Sequence, residues 1–430
     1  MKPPPPESFS RREFVRTTSA LTASVLAGGL AGSAPGAEAP VVKPAPKGKP
    51  IRTSFPPLLT PADDFYDVSR GTPRPFSLTG EALVQARLTP ETWRLEIVAD
   101  PFVSDVVKEP ASVARQYALA DQTALDLPAL MELGKKHGVK YLKAFQCLNI
   151  SEPLGQGLWE GVPLREVLRL CGPLRNVRRI YYWGFHNNDP QQLFQSSMSY
   201  SQAMETPPGE LPAFLAYRLN GEPLSLKRGG PVRLVVPWAH GFKSIKWLQY
   251  IGLTNDFQAN DTYANANNDP ESHLKTAAYI GGMAEKFPAG QPIWMNGLAL
   301  SGWSGLQRVE YWLHRTEPGA KATAPEDESY RTAPWTACEL EAPPADWSTI
   351  LPAGVSSKDV LGFDSRSGQP LAWPLRYSMI SWSATLKDLP PGSYEFFARA
   401  VDLNGFAQPE PRPVAKTGRN AVEVHRFEVI

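Results

Sequence analysis

Between residues 59 and 279 the chain alternates short apolar runs with turn-forming residues. Trp93 to Val98, Ile180 to Trp183 and Val232 to Val236 read as strands, because β-branched and aromatic side chains suit a pleated, half-buried surface. Ala129 to Lys136 reads as a modest helix between them. In Pro163 to Gly172 the apolar Leu164, Val167, Leu168 and Cys171 fall on one helical face, with proline at the start and glycine at the stop. Cys171 is therefore expected in a core. From about Pro292 the pattern becomes period-two alternation, as in Arg308 to His314 and in Tyr394 to Val401, which is entered through the turn Pro390-Pro391-Gly392. The expectation is an α+β chain: a mixed α/β domain followed by a β-sandwich. Thr316 to Glu328, rich in Pro, Gly, Lys and Glu, reads as a solvated loop, and no internal repeat is evident.

The N-terminal pattern is different. Ser10-Arg11-Arg12-Glu13-Phe14-Val15, an apolar stretch from Leu21 to Leu30 and the small-residue site Ala37-Glu38-Ala39 read as a twin-arginine export signal over residues 1–39. The apolar stretch is too short for a span of ~20 residues. Residues 40–58 hold six prolines (40, 44, 46, 50, 56 and 57) among few apolar groups, and read as an extended tether. The length of 430 residues fits two domains after such a leader, placed at 59–285 and 290–430. The expected location is the periplasm.

Lys plus Arg (44) and Asp plus Glu (43) nearly cancel, so neither a nucleic-acid backbone nor an anionic membrane is the expected partner. Cys147, Cys171 and Cys338 form no CxxC pair, which removes a disulfide scaffold, a zinc ribbon and an iron–sulfur cluster. Without a CxxCH, c-type haem is not attached to this chain. The six histidines show no HxxxH or HExxH spacing, so a metal must be held in another way.

The run Val232 to Leu248, VRLVVPWAHGFKSIKWL, places a buried strand before a Pro- and Gly-containing loop with closely spaced cations. Such a loop can present N–H groups and lysines to an anion, with Arg233 forking onto phosphate oxygens; the same residues can equally form a solvated face. Cys147, at the end of the strand-like Tyr141 to Gln146, is by its local sequence an ordinary small buried hydrophobe.

Together with Leu215 to Leu224 (LAYRLNGEPL) and Arg228 to Arg233 (RGGPVR), this run resembles the molybdopterin-binding core of the sulfite oxidase family. The VPW-x-x-GFK-x-IK form is similar to periplasmic methionine sulfoxide reductase catalytic subunits, whereas Leu-Ala-Tyr and Lys-Trp-Leu are closer to sulfite oxidases. The likeness continues through Asp64-Phe65-Tyr66, Thr89 to Leu95, Ala144-Phe145-Gln146-Cys147, Gly161 to Leu164, Arg399 to Asp402 and Gln408-Pro409-Glu410.

That resemblance implies a molybdenum–molybdopterin cofactor with Cys147 as the single protein ligand, in keeping with a soft thiolate's preference for such a centre. It implies cofactor contacts from Tyr66, Asp67, His186, Arg228, Arg233, Ser244, Ile245 and Lys246. His186 stands where sulfite oxidases have an acidic residue, and a satisfied histidine at a strand end is the alternative. Tyr263 corresponds to an active-site tyrosine, the alternative being a surface loop residue. The family's FVRNH-like arginine motif is altered here to Phe65-Tyr66-Asp67-Val68-Ser69-Arg70, leaving Arg70 as its replacement. The implied function is oxidation of sulfite or a related small anionic sulfur compound, with electrons passed to a separate cytochrome or membrane haem subunit. The alternatives are a reductase of methionine sulfoxide or another S- or N-oxide, and a noncatalytic exported binding protein. The C-terminal sandwich would be immunoglobulin-like and form a homodimer.

Overall fold

The computed structural model describes residues 51–99, 107–148, 150, 152–259, 262, 269–317, 323, 329–409 and 420–430. The expected leader, Tyr263 and most of the Thr316 to Glu328 loop lie outside the described residues.

Strand Arg94–Ala99 buries Leu95 and Ile97 completely, the alternation that gives a strand one core-facing side. It is second in a five-stranded sheet ordered Leu125–Asp126, Arg94–Ala99, Leu248–Thr254, Arg179–Gly184 and Gln195–Ser199. Arg94–Ala99 runs parallel to Leu248–Thr254, and the other pairings are antiparallel. A second, antiparallel sheet is ordered Glu222–Pro223, Phe214–Leu219, Gly155–Pro163 and Val139–Phe145, and Arg233–Val235 also pairs with Phe214–Leu219. Trp93, Ile97, Val162, Leu215, Leu234 and Ile251 come together in one core between these sheets. The buried Trp93 indole N–H keeps an acceptor there, the Leu248 carbonyl at 2.7 Å.

Helix Leu127–His137 extends the expected Ala129 to Lys136 at both ends. Its Asp126 side chain accepts from the Ala129 N–H at 2.9 Å, and Lys135, Lys136 and His137 suit the negative C-terminal end. The helix Leu164–Arg169 buries Leu164, Val167 and Leu168, and Cys171 just beyond it is fully buried in the same core, as the spacing predicted.

The C-terminal region consists of two further sheets. One is ordered Ala277–Ile280, Ile293–Leu300, Met379–Leu386 and Glu339–Leu340; the other is Lys286–Phe287, Glu423–Val429, Gly392–Val401, Arg308–Thr316 and Thr336–Ala337. Met295, Trp382, Phe396 and Phe427 pack between them. A mixed α/β region followed by stacked strands is the architecture seen.

Two boundaries are corrected. Ala277–Ile280, assigned from sequence to the first domain, pairs with Ile293–Leu300, and Lys286–Phe287 pairs with the last strand. The change of region thus precedes Ala277 rather than falling at 285–290. The expected tether is docked over residues 51–58: Ile51 bridges to Gly282, the Phe55 ring lies 5.4 Å from that of Trp294, and the Leu58 carbonyl accepts from Gln156 at 3.0 Å. The partners of Ile51 and of Lys286–Phe287 are far away in the chain, where no local pattern names them. Gln156 also joins the two regions, because its amide exchanges hydrogen bonds with the Met379 backbone at 2.6 and 3.2 Å.

Candidate active site

A cavity opens where residues 65–70, the end of strand Val139–Phe145, residues 186–194 and residues 228–247 converge. It holds about 990 Å³ of space when the open solvent at its mouth is included. Cys147, two residues beyond the strand's end, lines it and is partly exposed. So do Tyr66, Arg70, His186, Arg228, Arg233, Ser244, Ile245 and Lys246. Residues scattered over 181 positions of sequence are thereby brought to one concavity.

The cations sit against aromatic rings. The Arg233 guanidinium carbon is 4.7 Å from the Phe145 ring centre and 5.2 Å from that of Trp159, and Arg228 is 5.8 Å from Phe65. At the rim Arg70 lies 4.7 Å over Phe194. Burial lowers Arg233 to about 9, with neighbouring Arg228 adding to the effect, and burial lowers Arg228 against the pull of Asp67 and Asp63. His186 is pushed down to about 4 by burial, opposed by the Gly184 carbonyl, so its ring is neutral near pH 7; its Nε2 accepts from the Phe194 N–H at 3.1 Å.

Lys246 is held by three acceptors: Asp67 Oδ1 at 3.1 Å, Ser69 Oγ at 2.5 Å and the Lys227 carbonyl at 2.8 Å. Burial lowers the lysine to about 7 despite Asp67. Burial pushes the Asp67 carboxyl up, but Lys246 and Ser69 outweigh it, leaving the carboxyl below its usual range. Gly229, at φ +99°, makes this possible, since a Cβ there would come within 2.6 Å of the Lys246 side chain. Trp247 also has a positive φ of 54°, a strained conformation for a bulky residue, and its backbone N–H is fixed to the Gly229 carbonyl at 2.9 Å.

Arg233 spends one N–H of each terminal nitrogen within the fold, Nη1 donating to the Arg228 carbonyl at 2.9 Å and Nη2 to the Ser244 carbonyl at 2.7 Å, while its Nε has no acceptor among the described residues. One sequence expectation needs correction. Asp67 does not line the cavity; it turns toward Lys246 and Ser69. Ser244 serves the loop itself, its hydroxyl accepting from the Val236 N–H at 2.9 Å. Phe65, Ser69, Phe145, Trp159, Phe194 and Phe242 were not foreseen as lining, and no local pattern marks an aromatic as cavity wall rather than core.

The site fits the implied cofactor. Arg228 Nε and Nη2 and Arg233 Nε are buried without an acceptor among the described residues, so the cavity offers desolvated donors to a ligand rich in acceptors. Among the described residues no group of three or more His, Cys, Asp or Glu could hold a metal by itself. A single thiolate beside a chelating cofactor is the ligation consistent with this set.

Residues 83–262 match the oxidoreductase molybdopterin binding domain. An inducible NADH nitrate reductase of Glycine max is 26% identical over 192 residues, 43% of this chain and 21% of that protein. The catalytic subunit MsrP of the protein-methionine-sulfoxide reductase of Xanthomonas campestris is 33% identical over 147 residues, 30% of this chain and 45% of the relative. The chain thus spans less than half the length of either. Among solved structures, the sulfane dehydrogenase SoxCD of Paracoccus pantotrophus has a similar fold, with a TM-score of 0.52, 16% identity and 80% and 79% of the two chains covered.

Proposed function

We propose that this chain, which carries an oxidoreductase molybdopterin binding domain, is an exported enzyme that oxidises sulfite or a related small sulfur anion with Cys147 as its one protein ligand to molybdenum. The observation that carries this reading is the cavity, where Cys147 shares one concavity with buried guanidinium nitrogens that lack acceptors among the described residues. When bound, the cofactor supplies a two-electron centre for moving an oxygen atom onto or off sulfur. The chain's own groups do the rest. Arg228 and Arg233 donate from desolvated positions, where such hydrogen bonds are strongest. Lys246, anchored by Asp67, adds positive charge beside them. At the rim, Arg70 and Tyr66 orient an anionic substrate. Phe65, Phe145 and Trp159 keep water from the floor.

On the same reading, electrons leave to a separate haem protein, the chain works in the periplasm, and the C-terminal sheets form an immunoglobulin-like sandwich that pairs two copies. A second reading, reduction of a sulfoxide, is favoured by the 33% identity to the MsrP subunit and by the altered arginine motif around Arg70.

Metal analysis of the purified full chain tests the reading: about one molybdenum per chain is expected, lost in Cys147→Ser. A wild-type chain without molybdenum overturns it. Sulfite with an artificial acceptor, and methionine sulfoxide or nitrate with a reduced dye, then separate the directions of electron flow.

A further inference from the structure

The segment carrying Cys147 leaves strand Val139–Phe145 and returns at Gly155–Pro163, with its base closed by the Leu154 N–H to the Phe145 carbonyl at 2.7 Å. Inside that closure stands Gln146, whose side chain is wholly buried. Its Nε2 donates to the Cys147 carbonyl at 3.1 Å and to the Ile150 carbonyl at 2.6 Å, so one amide spans the turn. Its backbone carbonyl accepts from the Gly241 N–H at 2.8 Å and lies 3.3 Å from His240 Nδ1, tying the turn to the basic loop. A glutamine places a two-donor nitrogen at this reach, which no apolar residue of the same length supplies.

We infer that Gln146 is the positioning residue for Cys147: its amide fixes the backbone of the turn, and through it the direction in which the thiol enters the cavity. The role acts through Cys147 and so rests on the proposed ligation, but the turn is held whether or not a metal is present. Gln146 Oε1 is buried with no donor among the described residues, so the hydrogen bonds that fix this side chain among them are the two its Nε2 donates.

The test is alkylation of Cys147 by iodoacetamide in the cofactor-free full chain, with fully buried Cys171 as the internal control. Gln146→Met keeps the volume and removes both donors. Gln146→Asn keeps the amide but, one methylene shorter, cannot span both carbonyls. Both variants should alkylate Cys147 about tenfold faster than wild type, the loss of one or two hydrogen bonds, with Cys171 still protected. In the cofactor-loaded chain, both should keep their molybdenum, shift the sulfur-to-metal absorption band and lower kcat more than they change KM. Unchanged alkylation and an unchanged band in both variants overturn the inference. So does exposure of Cys171 in both, which would make Gln146 a general core residue. A wild type lacking molybdenum sinks the proposed function alone and leaves the alkylation result readable.

Discussion

Both halves of the molecule bury charged groups, and they treat them in opposite ways. In the C-terminal sheets Glu310 is bound by Arg308 at 2.7 Å and by Arg399 at 2.7 Å, and Glu395 by Arg426 at 2.6 Å and the Thr323 hydroxyl at 2.7 Å. Each carboxylate lost to water regains its partners inside the fold. Around the N-terminal cavity, Arg228 and Arg233 are buried with no carboxylate bonded to either, and three of their nitrogens have no acceptor among the described residues. The fourth such arginine nitrogen, on Arg87, lies outside the cavity lining. The difference separates charge that holds a fold from charge kept for a ligand. A protein that leaves desolvated donors unsatisfied gives up stability at the place where it binds.

Breaking the cavity side should show the largest effect. Arg228→Met keeps an unbranched apolar stem and removes the guanidinium, Nε and Nη2 together with the Nη1 that donates to the Phe65 carbonyl at 3.0 Å, so cofactor retention should fall by up to ~100-fold, the upper range for losing a group that supports a metal site. Its cofactor-free unfolding midpoint should hold or rise, because an unsatisfied buried charge is replaced by an apolar chain. Molybdenum content and urea unfolding of the cofactor-free chain, measured together, check this; a large stability loss would show that Arg228 belongs to the fold as Glu310 does.

The opposite signature is expected from Glu310→Gln. Arg399 and Arg308 lose their charged acceptor, and unfolding stability should drop by about 2 kcal/mol, below the ~3–5 kcal/mol of a fully buried broken pair because Arg308 is partly exposed. Molybdenum content should not change. If the cofactor is lost while stability holds, the contrast between the halves fails.

How much of this contrast was legible beforehand depends on how local its causes are. The helix at Leu164, the buried Cys171 and the alternation of Arg308–Thr316 follow from periodicities of a few residues, and the structure has them. The basic loop from Val232 and its neighbouring motifs pointed to the residues that now line one cavity. The chain could not announce that Arg233 spends both terminal nitrogens on carbonyls, or that Asp67 turns to Lys246 across 179 positions. It could not show either that Ala277–Ile280 joins the later sheet. Each is a choice between distant partners, decided by packing rather than by spacing. Gln146 escaped notice for the same reason, since its acceptors are near in sequence but its burial is set by the basic loop.

The smallest effect concerns proton balance at Lys246, where the two halves differ once more. Burial lowers this lysine to about 7 in the fold, from an ordinary unfolded value near 10.4. Between those values the unfolded chain binds a proton that the folded chain does not, so stability of the cofactor-free protein should rise with pH from about 7 toward 10. The slope is at most ~1.4 kcal/mol per pH unit for one proton. Lys246→Met should reduce that slope, leaving the part that buried Arg233 and Lys143 contribute, whereas Glu310→Gln should leave it intact. An anionic ligand in the cavity would favour the charged lysine and flatten the rise, so pH-dependent unfolding with and without inorganic phosphate reads the cavity's charge directly. A wild-type profile that stays flat over this window would mean that Asp67 and Ser69 compensate Lys246 fully, and that the cavity charge is satisfied within the fold like the carboxylates of the C-terminal sheets.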